Sequence, residues 1–387
     1  MQDVLILGAG PTGCALGVAL AKRGARVRLV EAVERPEAVV GESMLPCSGP
    51  LFDALGFDPS GFAIKRGAVF CEGGRGQRYD FSEAESPRYT HAWQVQREVF
   101  DPRWRQLALS AGCAITYARA TRYDPETRTL GTDAGDLSAD RVVDAGGRGM
   151  WLSRRLGLRV GDPRLRNAAV GTRMKNVRQL APDQEGDITI ASFPGGWIWI
   201  IPFGGGVASV GAVMTPACDL TGTPEERLRA AIARSPDATE RLRDAERIQP
   251  LRGLQDFTAS STAFHGDGFA LCGDAATFID PVFSSGVLLG LHGAVTLAAA
   301  LAGDTTLDAW EAAYREGAGV FRKVIDHWYA GDFMTLALAP AAMQKPYLRR
   351  GIVSLLAGDV FDPARQSPRE MADRMPALAA LVREGAA

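Results

Sequence analysis

The apolar positions near the start of the chain change period twice. Asp3 to Leu7 (DVLIL) is an almost unbroken apolar run, as a strand covered on both faces requires. Residues 14–24 (CALGVALAKRG) carry helical spacing, with Gly24 as a stop, and residues 25–31 (ARVRLVE) predict a second strand ending at Glu31. Further buried strands are predicted at RVVD, 141–144, and at FALC, 269–272. DITIASF (187–193), WIWIIPF (197–203) and VASVGAVM (207–214) read as strands separated by glycine turns, which predicts a largely antiparallel sheet. Strand alternation puts Trp197, Trp199 and Ile201 on one face, with Ile198 and Ile200 on the other. Helices are expected from near Pro102, over 223–235 (Thr223 and Glu226 forming a capping-box pattern), over 238–248, after Gly286, and from about residue 306 onward. Trp310, Tyr314, Phe321, Trp328, Tyr329 and Phe333 fall in that last region at spacings suited to core packing.

The fold class is therefore α/β (α+β overall). A discontinuous Rossmann-like nucleotide-binding domain is expected at 1–60, 92–160 and 255–305, with an antiparallel-sheet substrate domain at 61–91 and 161–254. A helical C-terminal region occupies 306–387. Between the first strand and helix stands GAGPTG, with Gly8, Gly10 and Gly13 in GxGxxG spacing. Gly8 makes the tight turn, Gly10 lets the backbone approach a pyrophosphate, and Gly13 allows helix and strand to pack closely. The helix N-terminus offers N–H groups to the phosphates, and Glu31 offers its carboxylate to ribose hydroxyls.

Composition mainly excludes. The 387 residues are 46% hydrophobic and 23% charged with net charge −2, an ordinary globular balance that predicts no nucleic-acid partner. The stretch 148–178 departs from it with nine Lys/Arg and one acid, Asp162, and reads as a solvated face or a docking site for an acidic partner. Six cysteines form no CxxC pair, the four histidines have no metal-like spacing, and no metal is expected. His292 reads as a packed helix residue. The N-terminus lacks a basic leader, and the stretch 284–302, nearest to a membrane span, is broken by glycines and His292. A cytoplasmic protein with no membrane partner is expected. A GxSxG nucleophile elbow is missing.

Other segments narrow the nucleotide. VVGESMLP (39–46), QVQREVFD (94–101), RVVDAGGR (141–148) and FALCGDAATFIDPVFSSGVLLGLHGA (269–294) follow the GxGxxG unit in order. Together they resemble the FAD-dependent monooxygenase superfamily, across most of residues 1–300. The resemblance implies FAD as cofactor, Arg97 near the flavin, Asp274 on the ribityl chain, and the helix opening at Gly286 aimed at the flavin ring. Three features resemble one branch, the flavin-dependent halogenases: GESMLP with Glu42 and Ser43 near the flavin, WIWIIP fitting a WxWxIP signature, and Lys65 in IKRGAVF. In that branch reduced flavin and oxygen give a flavin hydroperoxide. A halide bound near Ser285 and Gly286 attacks it, and the resulting hypohalous acid reaches Lys65, which halogenates an electron-rich phenol, pyrrole or indole, free or bound to a carrier or protein. Trp197 and Trp199 would form a wall that keeps the substrate off the flavin. Val282, Phe283 and Ser284 leave no substrate-side glutamate, which sets the chain apart from free-tryptophan halogenases. Reduced flavin would come from a flavin reductase or from NAD(P)H. The rival from the same superfamily is a monooxygenase that hydroxylates an aromatic substrate, including a tryptophan side chain of a partner polypeptide during quinone cofactor maturation.

Overall fold

The computed structural model describes residues 2–34, 41–86, 90–255, 258–340, 345–362, 364 and 366–385. Val39 and Val40 of the VVGESMLP segment lie outside these. The strand Asp3–Leu7 pairs in parallel with Arg26–Glu31 on one side and Arg141–Asp144 on the other, at the centre of a six-stranded sheet. Val4, Leu5 and Ile6 are buried, which explains the unbroken apolar run. Helix Pro11–Ala21 covers the sheet and packs against helix Gly286–Leu301. Thr12 locks that contact: a Cβ on Gly290 would overlap its hydroxyl, and one on Gly273 would stand 2.9 Å from it. The GAGPTG, GDAA and SSG segments are thereby drawn to one place.

The second sheet runs, in spatial order, through Glu246–Arg247, Ala168–Lys175, Val207–Met214, Gly196–Gly204, Ile188–Phe193, Gly67–Glu72 and Arg75–Asp80, with Arg252–Gln255 also on Ala168–Lys175. It is antiparallel except where Ile188–Phe193 meets Gly67–Glu72. Trp197, Trp199 and Ile201 join the main core, while Ile198 and Ile200 join a smaller one with Leu228 and Ala231 of helix Pro224–Arg234. The period-two reading of WIWIIP thus describes two cores divided by one sheet.

Trp199 lies across two glycines. It faces Gly211, which faces Gly171, and a Cβ on either would overlap the indole ring. Gly211→Ala should therefore cost about 1–3 kcal/mol through overpacking, checked by denaturant unfolding. A shift in tryptophan emission should accompany the loss.

Two helix expectations are corrected. The helix expected near Pro102 spans Arg97–Ser110, with Pro102 inside it. Proline forfeits one backbone bond there, and the first turn is supported by Arg97, whose Nε lies 2.6 Å from Asp101 Oδ1. The helix expected over 238–248 spans only Pro236–Arg241, and Glu246–Arg247 instead extends the sheet edge beside Met174 and Lys175. Edge pairing overrides helix propensity there. The capping box at Thr223 and Glu226 forms.

From Leu307 the described chain is mainly helical, and Trp310, Tyr314, Phe321, Trp328 and Phe333 are buried. His292 is packed, its ring stacked 3.6 Å from that of Phe361. No helix among the described residues is long and apolar enough to cross a membrane.

Candidate active site

The nucleotide cradle follows from the central strand. Gly8 adopts φ +92°, and a Cβ on Gly13 would overlap the Gly8 carbonyl, so both glycines serve the tight turn. Gly10 differs: a Cβ there would meet nothing within 4 Å. It stands at the N-cap of helix Pro11–Ala21 without a side-chain cap. The fold leaves room where a pyrophosphate would approach free N–H groups. Glu31, at the end of the neighbouring strand, accepts the Ala9 N–H through Oε2 at 2.8 Å. Arg105, buried, donates to the Ala9 carbonyl at 3.0 Å and braces the same loop.

Asp274 lies at the C-terminal end of Phe269–Leu271, beside the next helix: its Oδ1 stands 3.7 Å from where a Cβ on Gly286 would be. Burial pushes its carboxyl up to about 6, against the pull of Arg148 and Arg97. Arg97 is held by Asp101 and donates to the Gly41 carbonyl at 3.3 Å. Ser284 is left-handed at φ +56°, and Ser285 caps helix Gly286–Leu301 without a side-chain bond. The first N–H groups of that helix can therefore receive an anion. These residues fit a flavin dinucleotide.

Lys65 closes the short strand Ala63–Lys65 and is 2% exposed. Its Nζ donates to Ser43 Oγ at 2.9 Å and to the Met44 carbonyl at 3.0 Å, and the Phe81 ring centroid lies 5.3 Å away. Lys65 and the GES segment, 22 residues apart in sequence, are thus one unit. Burial lowers the amine to about 7, opposed only by the charge of Asp187. Asp187 is itself buried; it accepts the Arg66 N–H at 2.9 Å and Arg78 Nε at 2.7 Å.

The two indoles stand together, ring centroids 6.0 Å apart. Trp199 Nε1 donates to Ser209 Oγ, and Trp197 Nε1 to the Tyr329 hydroxyl, each at 3.2 Å. Trp197, Trp328 and Tyr329, with Glu72 and Arg75, line a cavity of about 480 Å³. Glu72 closes strand Gly67–Glu72, whose other end follows Lys65.

Sequence similarity accords with this geometry. The tryptophan halogenase family model matches residues 75–332, and an FAD-binding domain model matches residues 1–40. The chain belongs to the tryptophan halogenase family. This halogenase is 29% identical to a 1H-pyrrole-2-carbonyl-[peptidyl-carrier protein] chlorinase of Pseudomonas fluorescens, over 98% of this chain and 93% of that one. It is 28% identical to a tryptophan 2-halogenase of Chondromyces crocatus, covering 90% and 68%. Among solved structures it resembles a flavoprotein/dehydrogenase from Cytophaga hutchinsonii (TM-score 0.90, 31% identity, 99% of both chains). It also resembles the flavin-dependent brominase Bmp2 (TM-score 0.85, 25% identity, 97% of this chain and 98% of that one). The halogenase is an enzyme with FAD as its cofactor, and its chemistry is halogenation of an aromatic substrate.

Sequence reading missed one buried cluster of this halogenase. Arg173 belongs to the basic stretch read as a solvated face or docking site, yet it is buried. It donates to Glu42 Oε1 at 2.8 Å, pairs with Glu98, and lies 4.8 Å from the Phe203 ring centroid. Lys175 and Arg178 of the same stretch pair on the surface with Glu246 and Glu240. The stretch is therefore not one face: Arg173 lies within its strand opposite Ser209, whereas Lys175 ends that strand at the sheet edge opposite Glu246. Only its place in AAVGTRMK, a strand pattern, signalled this. Arg173→Ala leaves Glu42 buried without its cation and should cost roughly 3–5 kcal/mol, read from denaturant unfolding.

Proposed function

We propose that Lys65 presents the halogen to an electron-rich ring: a phenol, pyrrole or indole, free or tethered to a carrier or protein. The observation that carries this is an amine that is enclosed, held by two hydrogen bonds and lowered to about 7, so that much of it is neutral near neutrality. Bound reduced FAD with oxygen supplies the oxidising equivalent that turns a halide into hypohalous acid.

The protein's own residues do the rest. Gly8, Gly10, Gly13 and Glu31 hold the dinucleotide, and Glu42, Ser43, Arg97, Asp274 and Gly286 surround the flavin. The N–H groups of Ser285 and Gly286 receive the halide. Trp197 and Trp199 form the wall that keeps the aromatic substrate from the flavin while a small oxidant passes. At Lys65 the amine lone pair takes the halogen, the O–X bond breaks, and hydroxide leaves as water with one amine proton. The ring then takes the halogen from nitrogen and returns its proton to the amine. The pyrrole-carrier relative supports a tethered aromatic ring of the pyrrole kind as substrate class. Reduced flavin comes from a separate reductase or from NAD(P)H. Cys14, Cys71, Cys113, Cys218 and Cys272 are free thiols, which supports a reducing, cytoplasmic setting.

The experiment supplies purified protein with FAD, a flavin reductase, NADH, oxygen and bromide or chloride, together with phenol, pyrrole and indole substrates. Product masses are then read. Halogen incorporation is expected. An oxygen mass shift obtained without halide would establish hydroxylation instead.

A further inference from the structure

The turn assigned to halide binding contains a residue in a costly conformation. Ser284 is left-handed at φ +56° and ψ +26°, between the single helical turn Pro281–Phe283 and helix Gly286–Leu301. A non-glycine residue stays in that region only where its surroundings over-determine it. Its N–H bonds the Pro281 carbonyl at 3.0 Å, and a buried polar cluster holds the start of the same turn.

Asp280, 3% exposed, opens the turn. Its Oδ1 accepts the Val282 N–H at 3.0 Å. Its Oδ2 accepts the Tyr329 hydroxyl at 2.9 Å and Asn167 Nδ2 at 3.1 Å. Asn167 Nδ2 also donates to the Tyr329 oxygen at 2.8 Å, and Trp197 Nε1 donates to it at 3.2 Å. One tyrosine hydroxyl thus joins the turn to helix Leu307–Tyr329, to the residue preceding strand Ala168–Lys175, and to the WxWxIP strand. A carboxylate satisfied on both oxygens fixes the segment it caps more firmly than neutral bonds would.

We propose that Asp280, held by Tyr329 and Asn167, is a positioning residue. It keeps Ser284 left-handed, aims the Ser285 and Gly286 N–H groups at the halide, and fixes Trp197 relative to that turn. The proposal rests on the halide reading of Ser285 and Gly286.

Tyr329→Phe removes the shared hydroxyl and little volume, and Asp280→Asn removes the charge. Each is examined in two ways: hydrogen–deuterium exchange of the segment 281–287 in protein free of halide, and KM for bromide against kcat in the FAD-loaded enzyme. Exchange in that segment should rise in both variants while the strand 188–193 is unchanged. KM for bromide should rise about ten-fold, the loss of one hydrogen bond to a charged group, with kcat nearly constant. Ser284→Gly added to Tyr329→Phe should recover most of the KM, because glycine adopts this conformation unaided. Unchanged exchange in both variants overturns the proposal, as does a fall in kcat alone with KM for bromide constant. If the wild-type protein incorporates no halogen, the halide reading fails by itself, and raised or unchanged exchange then upholds or overturns the clamp.

Discussion

Lys65→Ala is expected to lower halogenated product at least about a hundred-fold, the scale on which a positioned proton-transfer or nucleophilic group acts. Consumption of reduced flavin should continue, because Lys65 meets the flavin-side residues only through the Ser43 hydroxyl, its other partners being the Met44 carbonyl and the Phe81 ring. The two readings separate the delivery step from the oxidation step, and both come from one assay of product mass and NADH loss. Lys65→Arg should not restore product, since a guanidinium stays protonated and cannot take the halogen. Burial holds the amine near 7, so product formation should climb as pH rises through about 7 and the neutral form takes over. A stability effect with a fixed sign follows. A buried lysine with a depressed pKa imposes its full burial cost below about 7, and the cost is relieved as pH rises toward the ordinary lysine range near 10.5. The melting-temperature difference between Lys65→Met and wild type should therefore move in favour of wild type between pH 6 and pH 9. Oxygen insertion that persists in Lys65→Ala without halide would sink the halogen-delivery role.

The second large effect is expected at Gly10. Valine there meets no protein atom at its Cβ, so thermal stability of the FAD-free protein should stay within about 1 kcal/mol of wild type. FAD affinity should fall at least about a hundred-fold, because the side chain fills the space a pyrophosphate needs. Gly13→Ala provides the contrast, since its methyl overlaps the Gly8 carbonyl and should destabilise the protein with or without FAD. Flavin fluorescence titration and melting curves on the two variants give opposite patterns. A Gly10→Val protein that keeps full FAD affinity would remove Gly10 from the cradle.

Much of this arrangement was legible in the sequence, for physical reasons. The strand–glycine–helix–strand–acid unit is local, and its period and turn chemistry fix it within 31 residues. WIWIIP was legible because side-chain alternation in a strand has only two outcomes, and the two cores keep them apart. Lys65 was singled out through a resemblance; its hydrogen bonds to the GES segment were not foreseen, because the residues between Ser43 and Lys65 say nothing of strand Ala92–Gln94, which pairs with Ala63–Lys65 and, through Gln94, with Ser43. The polar clusters were the least visible. Asn167, Asp280 and Tyr329 lie far apart in sequence, and each alone reads as a cap, a turn or a core aromatic. Arg173 was hidden by composition, since a run of basic residues reads as surface even where one member sits in the middle of a covered strand. Glu246 and Arg247 were misread because helix propensity is weaker than a vacant sheet edge.

Asp187 has a practical consequence for kinetics. A halide that is also a salt changes ionic strength whenever its concentration is varied, and exposed charge pairs weaken as the screening length shrinks. Asp187 is beyond that reach: it is buried, and the lysine it acts on is 2% exposed. The acidity of Lys65 should thus hold steady across a chloride or bromide titration. Saturation curves for the two ions can then be compared directly, without an inert electrolyte to balance them, and a difference between them reports ion preference rather than a shifting amine.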